Sequence, residues 1–113
     1  MDKFFQAYVE CALWSSTDDN DQPLDKNYGI GDLAPATIAT MQDDCLAFQQ
    51  ANGEAIGSEW KQAGHDFWLT RNRHGAGFWD GDWSEPAASI LTSAAHAFGE
   101  CNLYIGDDGL IYS

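Results

Sequence analysis

Positive charge is scarce in this sequence. Five Lys and Arg stand against eighteen Asp and Glu, a net charge of −13 over 113 residues. A surface of that sign repels nucleic acid and anionic membranes and draws basic partners. Cysteine is scarce too. Cys11, Cys45 and Cys101 are an odd set with no C-x-x-C spacing, and each has apolar neighbours. They are expected to be free, buried thiols of a reducing compartment, not a disulfide framework or a zinc knuckle. No apolar run approaches the ~20 residues of a membrane span. Asp2 and Glu10 interrupt the N-terminal apolar stretch that a signal peptide would need. The expectation is a soluble protein of the cytoplasm.

Catalytic signatures are missing as well. There is no G-x-S-x-G elbow and no H-x-x-x-H pair. Gly75-Ala76-Gly77 is placed inside an expected hairpin, not between a strand and a helix, so it is not a phosphate loop. The acidic run at Asp18, Asp19 and Asp21 suggests a calcium loop. However, Pro23 and Leu24 take the fifth and sixth positions counted from Asp19, and Ile30 takes the twelfth, where Glu is required. No cofactor and no metal are expected.

What is present reads as one domain spanning residues 1–113. Lys3 to Trp14 carries Phe5, Val9 and Ala12 at helical spacing. A long connection, Thr17 to Gly31, follows. Pro35 then opens a second helix, with Ile38, Met41, Cys45 and Phe48 as its apolar stripe and Asp43 and Asp44 on the wet face. Gly53 is a candidate stop, but Ala55, Ile56 and Trp60 keep a helical pattern, so a continuation or a short second piece to about Gln62 is favoured. From His65 to Arg71 the residues alternate, Phe67 and Leu69 against Trp68 and Thr70, as in a strand. Asn72 to Gly75 supply turn chemistry, and Phe78 and Trp79 close a second strand before Asp80-Gly81-Asp82. Ser84-Glu85-Pro86 starts a third helix with Ile90, Leu91, Ala94, Ala95 and Phe98 buried and Gly99 as its stop. Leu103 to Tyr112 forms a second hairpin around Asp108-Gly109. The expected class is α+β: an antiparallel sheet of two hairpins, about four strands, packed by about three helices in the order ααββαββ.

Chemistry-bearing residues fall into two sets. His65, His74, Asp80 and Asp82 are the only grouping that would suit a small metal-dependent hydrolase, but His65 and Asp66 point to opposite faces of the expected strand. Arg71 and Arg73 are expected to pair with nearby carboxylates such as Asp66 or Asp80. The acids are the stronger signal. Asp18, Asp19, Asp21 and Asp25 crowd the long connection, Asp43 and Asp44 line the second helix, and Asp80, Asp82 and Glu85 precede the third. Duplex DNA carries one charge per about 1.7 Å, so thirteen charges correspond to roughly six or seven base pairs. That suits a protein decoy for a DNA-binding groove. A virion assembly protein, anchored through Trp14, Trp60 or Trp83, is the structural alternative.

The run from Gly64 to Asp80 (Gly-His-Asp-Phe-Trp-Leu-Thr-Arg-Asn, one variable residue, then His-Gly-Ala-Gly-Phe-Trp-Asp) resembles a signature of small acidic proteins of phages and mobile elements. The Leu103–Tyr112 segment belongs to the same resemblance. Together with the acidic first half, the chain is similar to anti-CRISPR proteins, type I-C inhibitors in particular. The resemblance implies a non-enzymatic inhibitor in the cytoplasm of the infected host cell, and a monomer is expected over an oligomer. Its partner would be the basic surface of a Cascade-type surveillance complex, with no direct nucleic-acid or membrane contact. It implies no catalytic residues.

Overall fold

A computed structural model describes residues 2–74, 76–80 and 82–113. Gly75 and Gly81, expected in turns, lie outside the described residues. Among the described residues there are five helices and one two-stranded ribbon: α1 (Lys3–Ser15), α2 (Leu24–Asn27), α3 (Pro35–Ile56), α4 (Trp60–Arg71), α5 (Ala87–Ala97), β1 (Tyr104–Ile105) and β2 (Ile111–Tyr112). A 3-10 turn at Ile30–Asp32 separates α2 from α3.

Each of the long N-terminal elements has a local cause. The Asp2 carboxylate accepts the Phe5 N–H at 2.7 Å and caps α1. Pro35 sits in the first turn of α3, where its missing N–H is not needed. Thr37, Met41, Cys45 and Phe48 then bury one stripe. Asn52 breaks the helical backbone (φ −126°, ψ 16°), and its side chain turns back to the Phe48 carbonyl at 3.0 Å. The helix resumes only to Ile56. Gly57, at φ +62°, ends it; helix does recur after it, as the alternative of a second piece had it, but that piece runs from Trp60 to Arg71 and does not stop near Gln62.

The expected central hairpin is not a hairpin. Its first strand is α4, and its second is an irregular segment. This overturns the four-strand sheet and the order ααββαββ. The physical reason is burial on every side. Asp66, Phe67, Trp68, Leu69, Thr70 and Arg71 are all buried, so the second half of α4 lies inside the bundle with no wet face, and its alternation does not mark a strand. Gly64 permits its close approach to α1: a Cβ there would lie 2.2 Å from the Phe4 carbonyl oxygen. The turn chemistry at Asn72–His74 is real but serves the end of a helix. The His74 N–H bonds the Leu69 carbonyl and the Arg73 N–H bonds the Thr70 carbonyl, both at 3.0 Å. Arg73 takes the left-handed conformation (φ +57°) usually given to Gly.

The third expected helix exists as α5, with Leu91 and Ala95 buried, although Ile90 faces solvent. Gly99, at φ +74°, follows its end. The second hairpin also forms: Tyr104 pairs with Tyr112 and Ile105 with Ile111, antiparallel, about a turn with Gly109 at φ +80°. The ribbon docks on the start of α3. The Ile111 carbonyl accepts the Ala34 N–H at 3.0 Å and the Thr37 hydroxyl at 2.9 Å. The core between the helices is aromatic. Phe48 stacks on Phe67 at 4.1 Å, and Phe4, Tyr8, Phe78 and Phe98 surround that pair.

Candidate functional site

The Gly64–Asp80 run divides into side chains that build the scaffold and side chains that face solvent. Trp68 donates its indole N–H to Ser15 at 2.8 Å, tying α4 to α1. Asp66 is buried and accepts from the Trp83 indole (2.8 Å) and the Gln62 amide (3.0 Å). The Thr70 hydroxyl accepts the Phe78 N–H at 3.2 Å. The Asn72 side chain donates to the Trp68 carbonyl at 3.0 Å and accepts the Cys101 N–H at 2.7 Å.

Arg71 is the hub of the scaffold. Buried to 5 % exposure, it donates to the Tyr8 hydroxyl (3.0 Å), the Asp44 carboxylate (2.9 Å), and the Gly99 (2.9 Å) and Phe98 (3.2 Å) carbonyls. Its plane lies 5.5 Å from the Phe67 ring centroid and 5.7 Å from that of Phe98. Burial opposes the guanidinium charge, but Tyr8 and Asp44 outweigh it and hold the group above its usual value. The expected partner was Asp66 or Asp80. The actual partner, Asp44, comes from α3, a pairing that no local pattern displays.

The acids expected to meet a partner are found on several elements. Asp19, Asp21 and Asp25 are exposed around the α1–α2 connection. Asp18 is half-buried and holds that loop, accepting the Asn20 and Gln22 N–H groups at 2.8 and 3.0 Å. Asp43 is exposed on α3, beside Asp2 and Leu46 at a shallow hollow. Asp44 is engaged by Arg71. Asp80 accepts the Gly77 N–H at 3.3 Å, Asp82 lies 3.5 Å from the Gln62 amide, and Glu85 accepts the Ser89 hydroxyl.

Asp25 meets Glu10, Trp14, Lys61, Gln62 and His65 along an open groove of about 590 Å3, and Gln62 links that groove to Asp82. Asp43 lines a different hollow, and Asp44 is held by Arg71. Glu10 and Asp2 were not legible as site residues in the sequence, whereas Trp14, an anchor candidate there, is exposed at this groove. The visible sign for Glu10 was its i, i+4 partner Gln6 on the polar face of α1.

The hydrolase set does not converge. Among the described residues, no three His, Cys, Asp or Glu side chains come together in a way that could hold a metal ion. The His65 ring is 3.3 Å from Asp66 and faces the groove that Cys11 also lines. Burial, then the Asp66 charge, pushes the Cys11 thiol up to about 12, so it offers no thiolate at neutral pH. Among the described residues, no helix is long and apolar enough to cross a membrane. Comparison with protein-family models, with curated proteins and with solved structures returned no match.

Proposed function

We propose that the chain is a non-enzymatic inhibitor that presents carboxylates to the basic DNA-binding groove of a host defence complex, of the Cascade-type kind that anti-CRISPR proteins block. One observation carries the reading: the charge stays uncompensated. Among the described residues, Asp44 is the only carboxylate within 4 Å of a Lys or Arg nitrogen. The body that bears this charge measures 43 × 25 × 21 Å. A duplex 43 Å long carries about 25 phosphates at one per 1.7 Å. The protein, at −13, therefore has about half the line charge of DNA. That density suffices to release counterions from a cationic groove and to steer association.

The experiment is competition. The full chain is added to a purified surveillance complex with labelled target duplex over a salt series. Displacement of the duplex is expected, with a steep loss of affinity at higher salt. Replacing Asp19, Asp21, Asp25 and Asp43 together by Asn should flatten the salt slope by up to ~0.9 for each carboxylate that faces the groove. Duplex binding that is indifferent to the protein, or inhibition untouched by the fourfold change, refutes the reading.

A further inference from the structure

The few basic side chains of this chain are not spread evenly. Arg73 and His74 follow α4, and Thr92 and His96 lie on α5. With Trp79 they line one open cavity of about 230 Å3. Against five Lys and Arg and three His in the whole chain, a spot with one Arg and two His stands apart from its acidic surroundings. The Trp79 indole is 44 % exposed, and its ring centroid is 6.4 Å from that of His96.

These side chains also differ from their neighbours in being unemployed. Arg71, Asn72, Asp66 and Trp68 are all engaged in the scaffold. Among the described residues, the Arg73, His74, Trp79 and His96 side chains make no hydrogen bond and no ion pair with the rest of the chain. Arg73 moreover holds a left-handed backbone (φ +57°) at a helix end where Gly fits without strain. A side chain kept at such a position, exposed and unpaired, contributes nothing visible to the fold.

We propose that this cavity binds one nucleotide unit, its base stacked on Trp79 and its phosphate held by Arg73 with His74 and His96. An arginine fork matches phosphate oxygens, and imidazole N–H groups add donors. An exposed indole is a stacking surface that tolerates any base. The cavity is smaller than the ~300 Å3 at which drug-sized pockets begin, so it fits one base and one phosphate with the sugar in solvent. A longer strand is disfavoured. Asp80 adjoins Trp79, and the neighbouring hollow that shares Trp79 and Thr92 carries Glu85, so additional phosphates meet carboxylates. The ligand is therefore a free mononucleotide, and the site is separate from the acidic surface.

The test is a titration of the full chain with adenosine monophosphate, adenosine, inorganic phosphate and a short single-stranded oligodeoxyadenylate. The Trp79 indole N–H and the His74 and His96 ring signals are followed by NMR. Saturable shifts confined to those rings are expected with the nucleotide, with adenosine and phosphate each at least about tenfold weaker and the strand no tighter. Arg73→Gly, which suits the helix end and removes the phosphate contact, and Trp79→Ala, which removes the stacking surface, should each weaken nucleotide binding about tenfold, for Trp79 within the range that a stacked base contributes. Amide spectra of both variants report whether the fold is kept. Absence of a saturable shift, equal affinity in both folded variants, phosphate binding as tightly as the nucleotide, or tighter binding of the strand would each overturn the proposal.

Discussion

Removing the Arg71 guanidinium tests the scaffold at its centre. The group joins four segments: Tyr8 of α1, Asp44 of α3, its own α4, and the Phe98 and Gly99 carbonyls at the end of α5. Those two carbonyls belong to a helix terminus, where acceptors lack intrahelical partners. Hydrogen bonds to a charged group contribute about 1.5–3 kcal/mol each, but four that share one donor group do not add. Breaking a buried charge pair costs about 3–5 kcal/mol. Asp44 keeps 28 % side-chain exposure, so water recovers part of its solvation and the loss for Arg71→Ala falls near the lower end, about 3 kcal/mol. Against a total stability of about 5–15 kcal/mol, that variant is marginal.

Arg71→Lys is the sharper probe. It keeps the charge but loses the planar fork and the stacking over Phe67 and Phe98, and about 2 kcal/mol is expected to go with them. Asp44→Asn should cost less, about 1 kcal/mol, because its amide oxygen still accepts from the guanidinium and water reaches that side of the pair. Urea denaturation followed by Trp fluorescence reports both, since Trp68 is buried against Tyr8. The reasoning is refuted if Arg71→Lys is within about 0.5 kcal/mol of the parent, below any of the losses above. It is equally refuted if Asp44→Asn costs more than Arg71→Lys, since the Asp44 pair would then outweigh the carbonyls and Tyr8.

Gly64→Ala places a methyl 2.2 Å from the Phe4 carbonyl oxygen, which is backbone and cannot rotate away. A loss of about 3 kcal/mol, the upper end for overpacking, is expected in chemical denaturation, and a neutral result would mean that α1 and α4 separate freely. Burial raises all three thiols: Cys11 to about 12, with Cys45 and Cys101 also moved upward. A thiol reagent at neutral pH should label none of them quickly until denaturant is added, and one fast thiol in the native protein contradicts this. The Tyr112 hydroxyl donates to Asp108 at 2.6 Å, which lowers the Asp108 carboxyl and raises the Tyr112 phenol. The Asp108 contribution is present above the ordinary carboxylate value of about 3.9 and is lost as pH falls through its lowered value. The Tyr112 contribution is present below about 10 and is lost as pH rises through the raised value. Tyr112→Phe should move Asp108 upward in an NMR titration, though not fully, because the Leu110 N–H still bonds it.

Where one face of an element was wet, the sequence displayed its structure. The α1 and α3 stripes, the Pro35 start and the Asp108-Gly109 turn are periodic or chemically marked. α4 failed for the opposite reason. Its second half is buried on all sides and shows no wet face, so the chance alternation of Phe67 and Leu69 against Trp68 and Thr70 looked like a strand. The Asn72–His74 signal compounded the error, because a left-handed residue ends a helix as readily as it reverses a hairpin. The site residues divide in the same way. Exposed acids such as Asp19 and Asp43 were legible as exposed. The engagement of Asp44 by Arg71, across 27 positions, depends on tertiary packing.

The high acid content has two physical origins, and they make opposite contributions. Asp2, Asp18, Asp32, Asp80 and Asp108 each accept a backbone N–H at a helix start or turn. These serve as caps, and an Ala in their place costs about 1 kcal/mol. Asp19, Asp21, Asp25 and Asp43 accept no hydrogen bond among the described residues and lie exposed, so on a chain of this net charge they act mainly by repulsion, with Lys61 near Asp25. Neutralising this second group should raise the melting temperature at low salt, and the gain should shrink as the screening length falls from about 30 Å at 0.01 M to 3 Å at 1 M. A destabilised fourfold variant would show that these carboxylates hold the fold, which would remove them as a surface free to meet a basic partner. If neutralisation instead stabilises the fold while competition with DNA is lost, the charge that opposes folding is the charge that binds.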